Sequence, residues 1–339
     1  MKRIAMWTAL LSASCALSAA ASARLEPIGD VALVGEVAAA SDISAAARLG
    51  RFLALGADEG VGAERDVTVI QLFERTGADR WRLHRTVPVF QGDKRDGREL
   101  DLEAFAVDGD TLYAIGSHGR KRKLTDPDSR RGTNLKRLRF DGIERERSRE
   151  HVLVLRLGEN GALEERDRFS LRGEIANDPV LSGFRATPSK ENGVDIEGLA
   201  FRDGRLWVGF RGPVLRENFV PVMVFDPEDH DDYELRFVQL GGRGIRSLEA
   251  VSDGFLMIAG PVGDGEDGFQ LLRWDGVDML PGAGAELGRV ELLGAIASAP
   301  GARPEGLAVL AEDAAGYDLM VVFDGADANQ VAQRYRASR

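Results

Sequence analysis

Asp195-Ile196-Glu197-Gly198-Leu199-Ala200, followed after a short turn by Leu206-Trp207-Val208-Gly209, is one copy of a pattern that this chain repeats five times. The other copies are Asp42-Ile43-Ser44-Ala45-Ala46-Ala47 with Phe52-Leu53-Ala54-Leu55, Asp101-Leu102-Glu103-Ala104-Phe105-Ala106 with Leu112-Tyr113-Ala114-Ile115, Ser247-Leu248-Glu249-Ala250-Val251-Ser252 with Phe255-Leu256-Met257-Ile258, and Arg303-Pro304-Glu305-Gly306-Leu307-Ala308 with Leu319-Met320-Val321-Val322. Four of the five carry Glu at the third position, so the repeat conserves a charge as well as a shape. A unit of roughly 40–60 residues made of short strands is the pattern of a β-propeller, each unit being one four-stranded blade. The chain therefore reads as all-β, a β-propeller of five blades. The long interval from Asp101 to Asp195 has room for a sixth, but Arg120 to Arg139 lacks any alternating apolar pattern and reads as an insert.

Working outward, the 339 residues contain no Pro/Ser-rich linker, and 40 glycines supply the turns that many antiparallel strands need. Residues 24–339 are expected to form one domain, with a basic insert at 118–149 and a long loop at 172–193. Residues 1–23 read as a signal peptide: Lys2 and Arg3 precede an apolar run, and Ala21-Ser22-Ala23 has the small-x-small form of a cleavage site. Cys15 is the only cysteine and would leave with that peptide. With no second apolar stretch long enough to span a bilayer, the mature chain is expected to be a periplasmic or secreted protein, read as a monomer.

Charge is unevenly spread. The whole chain carries −11, yet residues 120–149 hold twelve Lys and Arg against five acids, a net of +7 that leaves −18 on the remainder. Such an acidic body argues against nucleic acid as a partner.

The Glu-containing passage is assigned to the innermost strand of each blade and the apolar run to the second. The start of the first and the end of the second then lie on one face of the disc. Glu103, Glu197, Glu249 and Glu305 are expected to meet around one mouth of the central channel, with Asp101 and Asp195 two residues before a Glu on the same side of the strand. The ends of the second strands add Asp58, Ser117, His118, Arg211 and Asp324. The last repeat runs out of chain, so the N-terminal strand, placed at Val31 to Val37, is expected to complete its blade and close the ring.

Carboxylates forced together raise one another's pKa unless a cation sits among them. One remedy is Ca²⁺, which takes six to eight oxygen ligands; Asp101, Glu103, Asp195, Glu197, Glu249 and Glu305 are its candidate ligands. The other is pairing with Arg211, Arg246 and Arg303, which needs neither metal nor substrate. Both remain open at this point. The four histidines have no spacing of a zinc site, and no Gly-x-Ser-x-Gly elbow occurs.

Asp101 to Ala106, the element Ile115-Gly116-Ser117-His118-Gly119-Arg120, Asp195 to Phe201 and Arg303 to Ala308 together resemble the exported bacterial family named domain of unknown function number 3616. More distantly, the Glu-Gly-Leu-Ala strands resemble esterase-like and phytase-like propellers. The second resemblance implies a Ca²⁺-dependent hydrolase of a phosphorylated or otherwise anionic small molecule. On that reading His118 carries a proton with Glu103 and Glu197 catalytic, while Ser117, Arg120, Arg122 and Arg211 bind substrate. A non-catalytic binding propeller and a structural scaffold are the alternatives.

Overall fold

The computed structural model describes residues 24–139, 142–265, 268–327 and 330–339. The leader expected at 1–23, with Cys15, lies outside the described residues. Among the described residues no helix is long and apolar enough to cross a membrane.

The chain enters through β1 (Leu25–Asp30) and β2 (Ala32–Val34), then lays down strands in groups of four. Blade 1 holds β3 (Ile43–Leu49), β4 (Phe52–Ala57), β5 (Val67–Gly77) and β6 (Arg80–Gln91). Blade 2 holds β7 (Leu102–Asp108), β8 (Thr111–Gly116), β9 (Val152–Leu157) and β10 (Leu163–Phe169). Blade 3 holds β11 (Asp195–Arg202), β12 (Arg205–Gly212), β13 (Phe219–Asp226) and β14 (Asp229–Gln239). Blade 4 holds β15 (Gly244–Val251), β16 (Gly254–Gly260), β17 (Gln270–Trp274) and β18 (Val290–Ala295). Blade 5 is built from β19 (Arg303–Asp313), β20 (Gly316–Asp324), β21 (Ala332–Ser338) and, on its outer edge, β1. Two short helices, α1 (Arg131–Arg137) and α2 (Arg172–Asn177), sit in the basic insert and the long loop, and among the described residues 118–149 contribute no strand. The propeller has five blades.

Why the second strands are apolar throughout follows from packing. A strand between two blades is buried on both faces, and successive side chains alternate between them. In β12, Leu206, Val208 and Phe210 join the core against blade 2, while Trp207 joins the core against blade 4. Five such cores fill the five junctions, including the one between blade 5 and blade 1, where Met320 and Val322 meet Ile43, Leu53 and Trp81. At roughly 1.5–3 kcal/mol for each large apolar side chain buried, these junctions are what hold the disc together. The hairpin joining β11 to β12 turns at Asp203 (φ +53°) and Gly204 (φ +76°), the Asp-Gly pair that a two-residue turn with two positive φ angles selects.

Ring closure takes the expected form with different residues. The N-terminal strand that completes blade 5 is β1, antiparallel to β21 with Leu25 opposite Ala337. Of the expected segment Val31 to Val37, only Val31 still meets blade 5, donating from N to Ala332 O at 2.9 Å; Ala32–Val34 turn away as β2, which runs parallel to β6 on the outside of blade 1. The segment from β1 to β2 thus bridges two blades. A further strand, β21, lies in what reads as a polar tail; only Ala332, Tyr335 and Ala337 are buried there, too few and too small to show as an apolar run.

Candidate functional site

Each innermost strand carries a β-bulge near its start. The register skips one residue between Ile43 and Ala45, Leu102 and Ala104, Ile196 and Gly198, Ile245 and Ser247, and Pro304 and Gly306. The skipped residues are Ser44, Glu103, Glu197, Arg246 and Glu305, and a bulge re-aims its side chain out of the ladder. The residue after each is Ala, Gly or Ser because the strands crowd at the axis. A Cβ on Gly306 would lie 2.4 Å from Val322, and one on Gly198 2.8 Å from Ile245.

This register corrects the repeat alignment in blade 4. The residue equivalent to Glu197 is Arg246, not Glu249. Glu249 lies three positions further on, accepts a backbone hydrogen bond from Val309 and does not line the mouth; burial lifts its carboxyl to about 8. The ring position is therefore cationic in one blade.

That cation organises its neighbours. Arg211, on β12, pairs with Asp195 and lies 2.6 Å from Glu197 Oε1. Arg246 Nε is 2.9 Å from Glu197 Oε2, and its terminal nitrogen pairs with Glu305. The chain Asp195–Arg211–Glu197–Arg246–Glu305 thus crosses blades 3, 4 and 5 with Arg246 only 3% exposed. Burial raises Glu197 to about 8 and Asp195 to about 6 against the opposing pull of these guanidiniums. Nearby, Arg149 holds Asp101 and Glu99 and lies 2.7 Å from Glu146, and Arg303 holds Asp324 at 3.2 Å. Burial, then Glu305, lift Asp324 to about 6 despite Arg303.

Two acids of the mouth differ. Among the described residues neither Asp58 nor Glu103 pairs with a cation, and Asp58 Oδ1 is buried without a hydrogen-bond partner. Burial raises both pKa values well above the carboxylate range, and Asp101 raises them further; Asp58 and Glu197 add to the effect on Glu103.

Above this floor lies a cavity of about 560 Å³. Its roof comes from Arg120 to Thr125 with Arg137 and Leu138 in the basic insert, from Pro188 to Glu191 in the long loop, and from Gly263 and Asp264 after β16. The roof is latched. Arg122 pairs with Glu191 and donates to the carbonyls of Arg137 (2.9 Å) and Arg139 (2.7 Å). Ser189 N donates to Arg120 O at 2.9 Å, and Lys190 meets Asp264 at 2.8 Å.

Of the residues singled out in the sequence, Asp101, Glu103, Asp195, Glu197, Glu305, Arg120, Arg122 and Arg211 line this cavity, as do Asp58 and Asp324. Three need correction: Glu249, as above, and two neighbours on the connection after β8. His118 is buried, donates through Nδ1 to Gly116 O (2.9 Å) and accepts at Nε2 from Leu171 N (3.2 Å), and burial holds it at about 4. Burial favours its neutral form and both ring nitrogens are engaged by the backbone, an arrangement that does not suit the proton-carrying role expected of it. Ser117 is buried away from the cavity, its Oγ accepting from Gly119 N at 3.2 Å. Arg122 serves as the latch of the roof. Arg149 and Glu99 were not foreseen as mouth residues, because Arg149 is the last charge of a run that reads as solvated loop.

A family model described as "Protein of unknown function (DUF3616)" matches residues 42–165 and 159–337. No curated protein matches the sequence. Among solved structures, a family 117 glycoside hydrolase from Zobellia galactanivorans is 10% identical with a TM-score of 0.48, over 93% of this chain and 90% of that one. A mannose phosphorylase from Leishmania mexicana, solved with a phosphate ion, is 14% identical with a TM-score of 0.44, over 92% and 88%. An exo-β-1,3-galactanase from Phanerochaete chrysosporium is 8% identical with a TM-score of 0.44; the match covers 92% of this chain and 63% of the galactanase.

Proposed function

We propose that this chain, which belongs to the protein family of unknown function DUF3616, is an exported hydrolase that takes a small anionic molecule at the channel mouth beside a Ca²⁺ ion held by Asp58 and Glu103. The observation that carries the reading is the gap in charge compensation. Asp101, Asp195, Glu197, Glu305 and Asp324 each have an arginine, whereas Asp58 and Glu103 have none and Asp58 keeps an unsatisfied buried oxygen. Leaving such an oxygen bare costs about 1–3 kcal/mol, which a bound cation would recover. An all-oxygen donor set favours a hard cation. The ligand set is narrower than the sequence suggests, because the other ring acids are committed to arginines.

Bound there, the ion would polarise an ester or phosphoryl oxygen. The chain's own groups supply the rest. Arg120 and Lys123 present positive charge from the roof, which suits an anionic substrate. Asp324 and Asp195 both sit at about 6, and Asp324, the less buried of the two, is the one taken to give and accept the proton. Export is supported by the charged start and apolar run of residues 1–23.

A second reading, that the ring is only structural, is favoured by the arginine chain that ties three blades together. A thermal-shift series with Ca²⁺, Mg²⁺ and EDTA, paired with hydrolysis assays on aryl phosphates and carboxylate esters, separates the two. The proposal expects a Ca²⁺-dependent rise in Tm that Asp58→Asn and Glu103→Gln abolish, and hydrolysis that Asp324→Asn suppresses. No Ca²⁺ response and no hydrolysis would leave the structural reading.

A further inference from the structure

A second cluster lies at the outer edge between blades 2 and 3, away from the mouth. Glu174 is on α2, and His230 and Asp231 open β14. One ligand atom from each of these three residues lies within 4.8 Å of the other two, and among the described residues they are the group of this kind. His230 Nδ1 is 2.8 Å from Glu174 Oε1 and 3.7 Å from Asp231 Oδ1. Glu174 is 7% exposed, and its second oxygen, Oε2, is buried with no hydrogen-bond partner. A hydrogen-bonded His–Glu pair alone would leave that oxygen at a cost; a metal ion would not.

The surroundings hold the donors in place. The His230 ring stacks on Phe169 (centroids 4.8 Å apart, planes at 11°) and meets Phe225 edge-on, which fixes its plane. Tyr233 donates from its hydroxyl to Asp178 at 3.0 Å, tying the segment after α2 to the same strand. The local sequence Asp226-Pro227-Glu228-Asp229-His230-Asp231-Asp232 is acidic around its single imidazole, so the field favours a cation.

We propose that Glu174, His230 and Asp231 form a binding site for a divalent transition-metal ion of the Zn²⁺ or Mn²⁺ class. One imidazole with two carboxylates and open positions for water suits these ions, whereas Ca²⁺ takes oxygen donors. The site stands apart from the reading of the mouth and uses none of its residues. Its consequence would still reach the mouth: α2 begins the connection whose Pro188 to Glu191 roof the cavity, so an ion there anchors the base of the lid to blade 3.

The test is titration of the purified protein with ZnCl₂ by calorimetry, and with Co²⁺ followed by its visible absorption bands. One saturable site is expected, with a Tm increase on Zn²⁺ addition. His230→Gln, which keeps a donor for Glu174, should remove the Co²⁺ bands and weaken Zn²⁺ binding by at least tenfold. Asp231→Asn, an exposed change that leaves folding intact, should weaken it as well. Asp58→Asn at the mouth should leave both signals unchanged. If wild type shows no saturable binding, or if His230→Gln and Asp231→Asn bind Zn²⁺ as wild type does, the site is an ordinary hydrogen-bonded His–Glu pair and the proposal is overturned.

Discussion

Replacing Arg246 with Met keeps much of the side chain's length and removes the charge that two blades share. Arg246 is 3% exposed, and the change strands Glu197 and Glu305, both buried, without this guanidinium. Removing one partner of a buried ion pair costs about 3–5 kcal/mol. The guanidinium also lies 5.9 Å from the Phe269 ring centre, a contact of roughly 0.5–2 kcal/mol. At about 2–4 °C per kcal/mol for a large domain, the two losses together should lower the melting temperature by roughly 7–28 °C. Glu197 already sits at about 8 and can be neutralised by proton binding, so the loss should be smaller at pH 5.5 than at pH 8.5. Adding Glu197→Gln should recover part of it, a non-additivity of the kind that a shared ion pair produces. Calorimetry of the single and double variants at both pH values reads all of this. A drop under about 2 °C, equal at both pH values, would show that the ring carries no stability.

Further outcomes follow from the same map. Glu103→Gln in metal-free protein should leave Tm unchanged or raise it, since the native carboxyl is already driven toward its neutral form by burial and Asp101; a fall of several degrees would mean that an undetected cation pairs with it. Glu249, with a folded pKa of about 8 against an unfolded value of about 4.3, contributes stability below the lower value that is lost as pH rises through the upper one. Glu249→Gln should therefore flatten the decline in Tm between pH 5 and 9, and an unchanged pH profile would contradict the assignment. Arg122→Ala should release the roof, seen as faster limited proteolysis within 123–139 and a raised KM with folding intact; wild-type proteolysis would mean the latch is dispensable. A chain begun at Val31 lacks β1, exposes the edge of β21 and should aggregate. If it stays monomeric and as stable as the longer chain, closure does not depend on β1.

Much of this architecture is visible in the primary structure because the repeat is enforced by packing. Every second strand is squeezed between two blades, so Phe52 to Leu55 and Leu206 to Val208 stay apolar and the period survives. The mouth is less legible, because bulges are set by one-residue register shifts that leave no apolar signal. In blade 4 a Glu happens to stand three residues past the bulge, so the eye aligns Glu249 where Arg246 belongs. A small residue follows both Arg246 (Ser247) and Glu249 (Ala250), so the small residue after the bulge does not separate the two alignments either. His118 reads as chemistry because histidine is rare here, yet it sits one residue beyond the buried Ser117, where the backbone of Gly116 and Leu171 claims both ring nitrogens. Arg149 was hidden by its neighbours: in a run of twelve basic residues nothing local distinguishes the one that reaches the floor.

The most direct test of the mouth is a crystal grown in CaCl₂ and measured for anomalous scattering. The account predicts a calcium peak between Asp58 and Glu103, with carboxylate oxygens at about 2.3–2.6 Å. A mouth in which those two carboxylates stay free of metal at saturating Ca²⁺, with the arginine chain unchanged around them, would contradict it.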